Sequence, residues 1–567
     1  MFGRALFKKN FNTRQFSRLN FTKTEVLSKT NIGRLFFLKK PQSRLLTINH
    51  INSNKFISPS SNKSTVSNYK RKAMPISFEE ALRDKSMNEL IRSYMVYRLL
   101  SIQWVVNHAS NLIKIPEKLH LSWLMYWTIK RTFFVQFCGG ETDKECTDTM
   151  SKLRKHNIGS ILGPSIETDL NQDEPSSDVE NDEKFNQVTN EYLSCIKTIS
   201  KQPDSFVAVK ITGLSNPSIL KNLTLTLNSL NKAFDQFDND QDGSLRKPEL
   251  KNLLVKIFGE SETRLIDRVL DKTNSDNRLI NRLDYFKILL DNRDFMIKNS
   301  MLNQKMIKGF NQLLTRLEQI SKTAHQFNVK LLIDAEQTYF QPAVDYIAMG
   351  LSLKYNKLTD DDNFQNVPII FNTYQMYLKD SSSRLQRDYE LSQRNKVIFA
   401  AKLVRGAYMV SERSIANESG YPDPIHDSIE DTHESYNGAV AYLLSELYKS
   451  KKNLEAKNVN DGSIHDSNIS NNPLAFIIAS HNQETIIKAC EKLEQFGIDL
   501  NSGMCDQITY TLGDLGYPVY KYITYGKVNE VIPFLIRRAQ ENTSVLDGRA
   551  AIEQNALWNE IISRLKF

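Results

Sequence analysis

Short apolar runs alternate with amphipathic, helix-length segments from about residue 158 onward. Most of these runs are continuously apolar, which predicts strands buried on both faces, as in a parallel sheet. Eight such runs with helices between them favour a (β/α)8 barrel of the TIM type. A doubly wound open sheet is the alternative, because periodicity does not separate the two. The predicted strands are Ile158–Leu162, Phe206–Thr212, Lys330–Glu336, Val367–Gln375, Val397–Gly406, Leu474–His481, Ser502–Gln507 and Tyr520–Gly526.

The segments around these strands divide the chain further. Residues 1–72 are interpreted as a leader and residues 73–154 as an N-terminal helical region. Residues 155–226 form the first part of the barrel, and residues 300–567 complete it. Between these two parts, residues 227–299 are predicted to form an inserted helical module.

Two aromatic-rich stretches in the helical region, Tyr94–Ile113 and Leu119–Phe137, are interrupted by Arg, Asn and Lys. They predict amphipathic helices, and we favour their packing on the domain over attachment to a membrane. Residues 168–184 are acidic and residues 453–472 are rich in Asn, Ser and Asp, so both are predicted to be solvated loops.

The net charge of +9 comes from the N-terminus. Residues 1–78 hold 16 Lys and Arg and a single acidic residue, Glu25, whereas the remainder is mildly acidic. The folded part therefore gives no indication of a nucleic-acid partner. A basic, acid-poor leader rich in Ser and Asn is typical of a mitochondrial transit peptide, and a disordered basic tail is the alternative.

The cysteines bear on the redox state of the compartment, and the hydropathy bears on whether a helix spans a membrane. The five cysteines are scattered without CxxC spacing, which predicts free thiols in a reducing compartment. No run of 18 apolar residues occurs, so no membrane-spanning helix is expected.

A twelve-residue acidic run, Asp238–Glu249, lies inside the inserted module and has the spacing of an EF-hand calcium loop. Apolar residues at helical spacing flank it, so we predict a Ca²⁺ site of structural or regulatory role; a solvated acidic turn is the alternative. Arg246, at the ninth position, opposes the ion and predicts weak affinity. Residues Thr273–Phe286 look like a degenerate partner hand without metal. The predicted ligands are Asp238, Asp240, Asp242, the Ser244 carbonyl and Glu249.

Near the C-terminus, Arg537 and Arg538 precede Glu541 by one helical turn. All three can therefore gather at one helix end. Two adjacent guanidinium groups can clamp a carboxylate in bidentate fashion. A solvated basic helix face is the alternative for an Arg-Arg pair.

This C-terminal helix, with the preceding KYITYG, resembles the proline dehydrogenase family in its eukaryotic mitochondrial form. The resemblance covers about residues 79–567, and the matching blocks occur in family order. These blocks are AVKITGL (Ala208–Leu214), LLIDAEQTYFQPAVD (Leu331–Asp345), NTYQMYLKD (Asn372–Asp380), KLVRGAYMVSER (Lys402–Arg413), YPDPIHDSIEDTHESYN (Tyr421–Asn437), IIASHN (Ile477–Asn482), SGMCDQITYTLG (Ser502–Gly513) and RRAQEN (Arg537–Asn542).

The resemblance implies FAD at the C-terminal ends of the barrel strands and oxidation of L-proline to Δ1-pyrroline-5-carboxylate. It also implies ubiquinone as electron acceptor, on the matrix side of the mitochondrial inner membrane, with peripheral membrane association. Lys210 would lie beside the flavin, where a cation stabilises developing negative charge. The implied catalytic and substrate-contacting residues are Lys210, Asp334, Tyr408, Tyr522, Arg537, Arg538 and Glu541. The implied FAD contacts are Gln375, Lys402, Val404, Arg405, Gly406, Thr432, Ser480 and His481.

One departure from the family pattern is Gly163-Pro164, which stands where relatives commonly have an acidic-aromatic pair. The absence of GxGxxG agrees with a flavin site that is not of the Rossmann type. Three alternative functions stay open. A hydroxyproline dehydrogenase of the same fold is disfavoured by the bulk of Tyr522. The others are a calcium-binding interaction protein on an inactive barrel and an aldolase that uses Lys210 as a Schiff base.

Overall fold

The fold is taken from a computed structural model. It describes residues 45–49, 82, 85–164, 178–272, 279–298, 300–358, 367–459, 474–480, 482–496, 509–510, 512–513, 519–543 and 549–566. For residues 45–49, 453–459, 537–543 and 549–553, and for a few other positions, only the backbone is described. All described residues belong to one unit, Lys39–Phe567.

A closed, mostly parallel sheet forms the centre of this unit. Around the sheet the strand order is β3-β4-β7-β8-β9-β10-β1-β11, and β11 returns to β3. β2 extends β11 at its edge. The (β/α)8 barrel class is confirmed, and seven of the eight predicted runs are strands; Ser502–Gln507 lies outside the described residues. The strands are β1 Leu45–Asn49, β2 Cys138–Gly140, β3 Ile158–Pro164, β4 Phe206–Val209, β5 Ser244–Leu245, β6 Ile280–Asn281, β7 Lys330–Ile333, β8 Ile370–Gln375, β9 Phe399–Val404, β10 Leu474–Ala479 and β11 Val519–Tyr525.

β1 was not predicted, since it lies within the segment interpreted as a leader. It runs antiparallel to both β10 and β11, with Leu46 opposite Ile478 and Val519. Its backbone groups pair with strand edges that would otherwise lack partners in this part of the described sheet. All other neighbours around the barrel pair in parallel.

Helices surround the barrel, as the alternating pattern predicts. They are α1 Met87–Leu100, α2 Gln103–Asn107, α3 Ala109–Lys118, α4 Ser122–Ile129, a π-helical turn Lys130–Phe134, α5 Val135–Phe137, α6 Asp143–Arg154, α7 Asp178–Ile199, α8 Pro217–Phe237, α9 Lys247–Phe258, α10 Thr263–Lys272, α11 Arg282–Asp291, α12 Arg293–Lys298, α13 Gln304–Gln326, α14 Gln341–Tyr355, α15 Ser381–Arg394, α16 Met409–Ser419, α17 Ile429–Val459, α18 Gln483–Gln495, α19 Val528–Thr543 and α20 Arg549–Leu565. Among the described helices, none combines the length and apolar character needed to cross a membrane.

Aromatic side chains fill the barrel interior. The ring of Phe206 meets those of Phe371 and Tyr520 edge-on, at centroid distances of 5.6 and 4.8 Å. Lys330 closes the N-terminal end, because its Nζ lies 5.2 Å from the centre of the Phe206 ring and 3.1 Å from Asp204 Oδ1. This packed interior leaves the opposite, C-terminal end for a site.

The inserted module contains two helix–loop–helix units. α8 and α9 flank the first loop, and α10 and α11 flank the second. Between the loops, β5 and β6 pair as a short antiparallel ribbon, with Ser244 opposite Asn281 and Leu245 opposite Ile280. The units share a hydrophobic core, in which the ring centroids of Phe234 and Tyr285 lie 5.1 Å apart.

Two further predictions concern individual elements. The four described cysteines, Cys138, Cys146, Cys195 and Cys490, are buried and free, as predicted. The two aromatic-rich stretches are largely helical; the inner side of the second packs on α19, and the first packs against the second. Their outer side, in contrast, carries exposed tryptophans.

Candidate active site

Five polar residues follow or end consecutive parallel strands of the barrel. Lys210 follows β4, Asp334 follows β7, Gln375 ends β8, Arg405 follows β9 and Ser480 follows β10. Because the carboxyl ends of parallel strands meet at one rim, the fold brings these predicted residues to the same end of the barrel. This is the end at which TIM barrels carry their active sites.

A buried carboxylate, Glu336, organises the first half of this rim. Its Oε1 accepts a hydrogen bond from Thr212 Oγ1 at 2.7 Å, and its Oε2 accepts one from the Tyr408 hydroxyl at 3.1 Å. The Nζ of Lys210 lies 4.0 Å from Oε1. The predicted Lys210 and Tyr408 are therefore connected through a residue that was not predicted.

Burial of Glu336 raises the pKa of its carboxyl group above the usual value, although Lys210 and the two hydroxyls favour the charged form. The Gln375 side chain donates to the Glu336 carbonyl at 2.7 Å, which fixes the backbone at this position. Beside it, Asp334 forms an ion pair with Lys402. Asp334, predicted as a catalytic residue, is therefore paired with Lys402, which was predicted as an FAD contact.

Arg405 dominates the second half of the rim. Only 7% of it is exposed, and its Nη1 donates to Ser480 Oγ at 2.6 Å. Its Nη2 and Nε donate to Thr485 Oγ1 and His433 Nδ1 at 2.9 and 3.0 Å. The guanidinium also lies 4.3 Å from the centre of the Tyr436 ring.

All of these Arg405 partners are neutral, and no carboxylate of the described residues forms an ion pair with the guanidinium. Burial lowers the pKa of Arg405, although Tyr436 and the Glu484 carboxylate favour the charged form. A buried cation without a directly paired counter-charge is costly, and an anionic ligand at this rim would offset that cost.

Gly406 follows Arg405 with a φ of +143°, a backbone conformation that favours glycine. A Cβ at this position would overlap the ring of Tyr377. The resemblance implies that this glycine contacts FAD. In the structure, the ring of Tyr377 already requires it.

Tyr522 on β11 explains the Gly163-Pro164 departure. The phenol of Tyr522 lies directly over Gly163, so that any Cβ there would overlap the phenol oxygen. Tyr522 also packs against the barrel interior together with Val404. An acidic residue at position 163 is therefore incompatible with the present placement of Tyr522.

The remaining predicted residues are described unequally. Thr432 is buried on α17, and its hydroxyl donates to the Ser428 carbonyl at 3.3 Å. His481 lies outside the described residues. The backbone places Arg537, Arg538 and Glu541 in the C-terminal half of α19, and their side chains are not described.

Comparison with known proteins identifies the family. The sequence pattern described as proline dehydrogenase matches residues 146–549. The chain belongs to the proline dehydrogenase family. It is therefore a member of a family of oxidoreductases acting on proline.

Two kinds of curated relative are similar over nearly the whole length. The human protein named proline dehydrogenase 1, mitochondrial, is 29% identical over 564 residues, which cover 86% of this chain and 89% of that protein. The hydroxyproline dehydrogenase of Xenopus laevis is 30% identical over 492 residues, covering 85% and 88%. A crystal structure of proline utilization A from Bdellovibrio bacteriovorus, inactivated by N-propargylglycine, aligns with a TM-score of 0.45 and 16% identity. This alignment covers 82% of the present chain and 38% of that chain.

Several residues at the rim of this barrel were not predicted. Glu336 stands two residues after the predicted Asp334, so its position just beyond a strand was a usable signal. His433 and Thr485 contact Arg405 from α17 and α18, which are distant in sequence. Only the tertiary structure brings them to the rim.

The acidic loop of the inserted module gathers part of its predicted ligand set. Carboxylate oxygens of Asp238, Asp240 and Asp242 lie within 4.8 Å of one another. Glu249 lies outside this group, because its oxygens accept from Asn239 Nδ2 and from the backbone N–H of Arg246, both at 2.8 Å. The Ser244 backbone belongs to the β5–β6 ribbon.

Arg246 occupies the loop as an internal cation. Its Nη1 lies 2.6 Å from Asp240 Oδ2 and 3.9 Å from Glu249 Oε2. The hydrogen bond from Arg246 lowers the pKa of the Asp240 carboxyl. Asp238 is 7% exposed, and its Oδ2 accepts from the Gly243 N–H at 2.9 Å. Its Oδ1 is buried and has no hydrogen-bond partner among the described residues.

Proposed function

We propose that this chain oxidises L-proline to Δ1-pyrroline-5-carboxylate with FAD as cofactor. We further propose that it works on the matrix side of the mitochondrial inner membrane and delivers the electrons to ubiquinone. Membership of the proline dehydrogenase family supports the reaction. The mitochondrial names of its relatives and the basic, acid-poor leader support the location.

The observation that carries the cofactor assignment is the buried Arg405 guanidinium, which has only neutral partners among the described residues. FAD contains a pyrophosphate, and a guanidinium fork matches phosphate oxygens in geometry and charge. The residues present therefore fit the group. Arg405 and Ser480 would hold the pyrophosphate; the other proposed contacts are Gln375, Lys402, Val404, Gly406, Thr432 and His481.

When bound, FAD would supply the acceptor for the hydride of the C5–H bond; with loss of the amine proton, the C5–N bond of proline becomes a double bond. The chain binds and orients the substrate. Arg537 and Arg538 would hold the carboxylate, and Glu541 would orient these arginines and contact the amine. Tyr522 and Tyr408 would wall the ring.

Lys210 provides a positive charge close to the reacting centre. Glu336 holds it in position, since the carboxylate lies 4.0 Å from Lys210 Nζ and is itself fixed by Thr212. A fixed charge of this kind needs no reorganisation during the reaction, which is the basis of electrostatic catalysis. Asp334 positions Lys402 in the same way.

Replacing Arg405 tests the cofactor assignment without relying on activity. A hydrogen bond to a charged group contributes about 1.5–3 kcal/mol. Arg405→Met should therefore raise the Kd for FAD by about 10- to 150-fold in fluorescence titrations of the apoprotein. Arg405→Lys keeps the charge but not the fork, so its Kd for FAD should lie between the values for wild type and Arg405→Met. Equal FAD affinity of wild type and Arg405→Met would refute the assignment.

Hydroxyproline dehydrogenase is the alternative within the same fold, since relatives of both kinds are about equally similar. Tyr522 favours proline, because its phenol fills the space over Gly163 and would crowd a 4-hydroxyl group. We expect a higher kcat/KM for proline than for trans-4-hydroxyproline, and Tyr522→Ser should narrow the gap by roughly 1–3 kcal/mol. Equal kcat/KM values in the wild type would contradict the preference.

A second function is favoured by one specific observation, the unpartnered Oδ1 of Asp238. A buried carboxylate oxygen without a partner is costly, and a cation between Asp238, Asp240 and Asp242 would satisfy it. We propose that Ca²⁺ binds here as an EF-hand ligand set, completed by the Ser244 carbonyl and Glu249. Arg246 must leave Asp240 and Glu249 must rotate for this, so we expect affinity at the weak end, about 10⁻⁶–10⁻⁵ M.

Titration calorimetry on the whole chain tests the calcium site. Wild type should bind one Ca²⁺ per chain, and Asp238→Asn should raise the Kd for Ca²⁺ at least tenfold. Asp294→Asn, an exposed acid of the same module outside the loop, is the matched control. Absence of binding at millimolar Ca²⁺ would contradict the proposal. A higher melting temperature alone would indicate stabilisation, whereas a changed proline KM would indicate regulation.

A further inference from the structure

Three tryptophans of the N-terminal helices project into solvent. Trp104, Trp123 and Trp127 are 60%, 67% and 56% exposed, although tryptophan is usually largely buried. They belong to a set of exposed apolar side chains on α2–α5, helices that pack on one another in chain order, and we call this set the tryptophan face. Its members, all exposed, are Trp104, Ile115, Leu119, Trp123, Trp127 and Val135.

The helical stretch from α4 through the π-helical turn to α5 is apolar on two opposite sides. On one side, Phe134 packs with Val531 and Leu535 of α19. On the other side, Trp123, Trp127 and Val135 recur at multiples of four residues, with Arg131 between them in the same row, and all four are exposed. Large apolar side chains on both sides of a helix are expected where both sides are covered.

Polar groups on the outer side of this stretch are occupied internally. The hydroxyls of Thr128 and Thr132 donate to carbonyls one turn earlier in the helix, at 2.8 and 2.7 Å. Arg131 lies 5.7 Å from the centre of the Trp127 ring. With the hydroxyl donors used within the helix, this surface is better suited to an apolar, anionic environment than to a hydrogen-bonded protein interface.

Charge gives the second argument for the occupant. Residues 102–137 contain four cations and one acid, Glu117, whereas the chain beyond residue 78 is acidic overall. Lys130 forms an ion pair with Glu141, which leaves Lys114, Lys118 and Arg131 as the basic residues around the face. Exposed tryptophans with a basic rim are typical of helices that lie in the interface of an anionic bilayer.

We propose that the tryptophan face docks this protein on the surface of a bilayer containing anionic phospholipid. The inference rests on the proposed delivery of electrons to a membrane quinone, for which it supplies the contact surface. α19, on which the α4–α5 stretch packs, also carries Arg537 and Arg538. The bilayer surface would therefore be one helix away from the proposed substrate site.

Intrinsic fluorescence reports on this face directly, because three of the four tryptophans in the chain belong to it. In purified full-length protein without lipid, we expect acrylamide to quench most of the emission. Quinone-free vesicles of phosphatidylcholine and phosphatidylglycerol should shift the emission to shorter wavelength and protect it from quenching. Brominated acyl chains should quench it, since interfacial tryptophans lie near the acyl boundary.

Variants locate the contact. The double variant Trp123→Gln, Trp127→Gln should lose at least tenfold in vesicle partitioning in a sedimentation assay. Lys114→Gln and Lys118→Gln should each lose about fivefold on anionic vesicles and little on phosphatidylcholine alone. Phe327→Gln, an exposed aromatic residue outside the tryptophan face, is the matched control and should bind as wild type does.

Three results would overturn the proposal. Tryptophans protected from acrylamide before lipid is added would mean that another part of the chain or a second copy covers the face. Loss of a dimer on size-exclusion chromatography of the double variant would identify the second copy. Partitioning that is unchanged in the double variant would place any membrane contact elsewhere. In contrast, wild-type protein that binds vesicles but does not reduce a soluble dye with proline would contradict only the proposed reaction.

Discussion

Replacing Glu336 with Gln removes one buried negative charge and almost no volume. The Oε1 atom of Gln can still accept from Thr212, so the change isolates the effect of charge on Lys210. A carboxylate and an ammonium group 4.0 Å apart attract by about 4 kcal/mol at an effective dielectric constant of about 20. Lys210 is 28% exposed, so we discount this to about 2 kcal/mol.

If the proposed reaction needs a positioned cation, a loss of about 2 kcal/mol corresponds to a fall of about thirtyfold in kcat/KM for proline. Steady-state assays with a soluble dye measure this. Thr212→Val and Tyr408→Phe are controls that each remove one hydrogen bond to Glu336 and leave its charge; their losses should be smaller. Wild-type kcat/KM in Glu336→Gln would refute the reasoning.

Glu336→Gln should also change how folding stability depends on pH, in a direction that the pKa shift of Glu336 fixes. Burial raises the folded-state pKa of Glu336 above its usual 4.5, so the folded state holds a proton that the unfolded state has released. Between pH 4.5 and the raised pKa, this group makes folding stability fall as pH rises, by up to about 1.4 kcal/mol per pH unit. Glu336→Gln lacks this group, so its melting temperature relative to wild type should increase across that window. A constant difference would contradict the burial argument.

Three shorter predictions test other contacts. Gly163→Ala should lower the free energy of unfolding by about 1–3 kcal/mol in chemical denaturation, because the added methyl group overlaps the Tyr522 phenol. The loss should be much smaller in a Tyr522→Ala background, and equal losses in both backgrounds would contradict this. Gly406→Ala should destabilise by about 2 kcal/mol or more through both the Tyr377 ring and the positive φ, and melting temperatures that match wild type would refute it. Arg246→Ser should strengthen Ca²⁺ binding in calorimetry by about tenfold, since it removes the competing cation from Asp240, and unchanged affinity would show that Arg246 does not compete.

Closure of the sheet, in which β1 pairs with β10 and β11 and β11 returns to β3, decided for the barrel over the open sheet. The sequence by itself determined the apolar runs that alternate with helices, because buried parallel strands produce such runs. Seven of these runs became strands close to their predicted bounds. It also determined which polar residues reach the rim, since Lys210, Asp334 and Arg405 each follow a strand directly. The acidic loop of the inserted module could be predicted because its residues are adjacent in sequence.

Only the tertiary structure decided which of these residues touch. Glu336 connects Lys210 to Tyr408 across three separate loops, and Arg405 takes its partners from α17 and α18. Such contacts depend on how helices pack, and local periodicity carries no signal of that. Packing also decided that Tyr522 lies over Gly163, and that one side of the aromatic helices stays exposed while the other packs on α19. In both cases the sequence specified which side chains are present, and the packing of strands and helices decided which residues they contact.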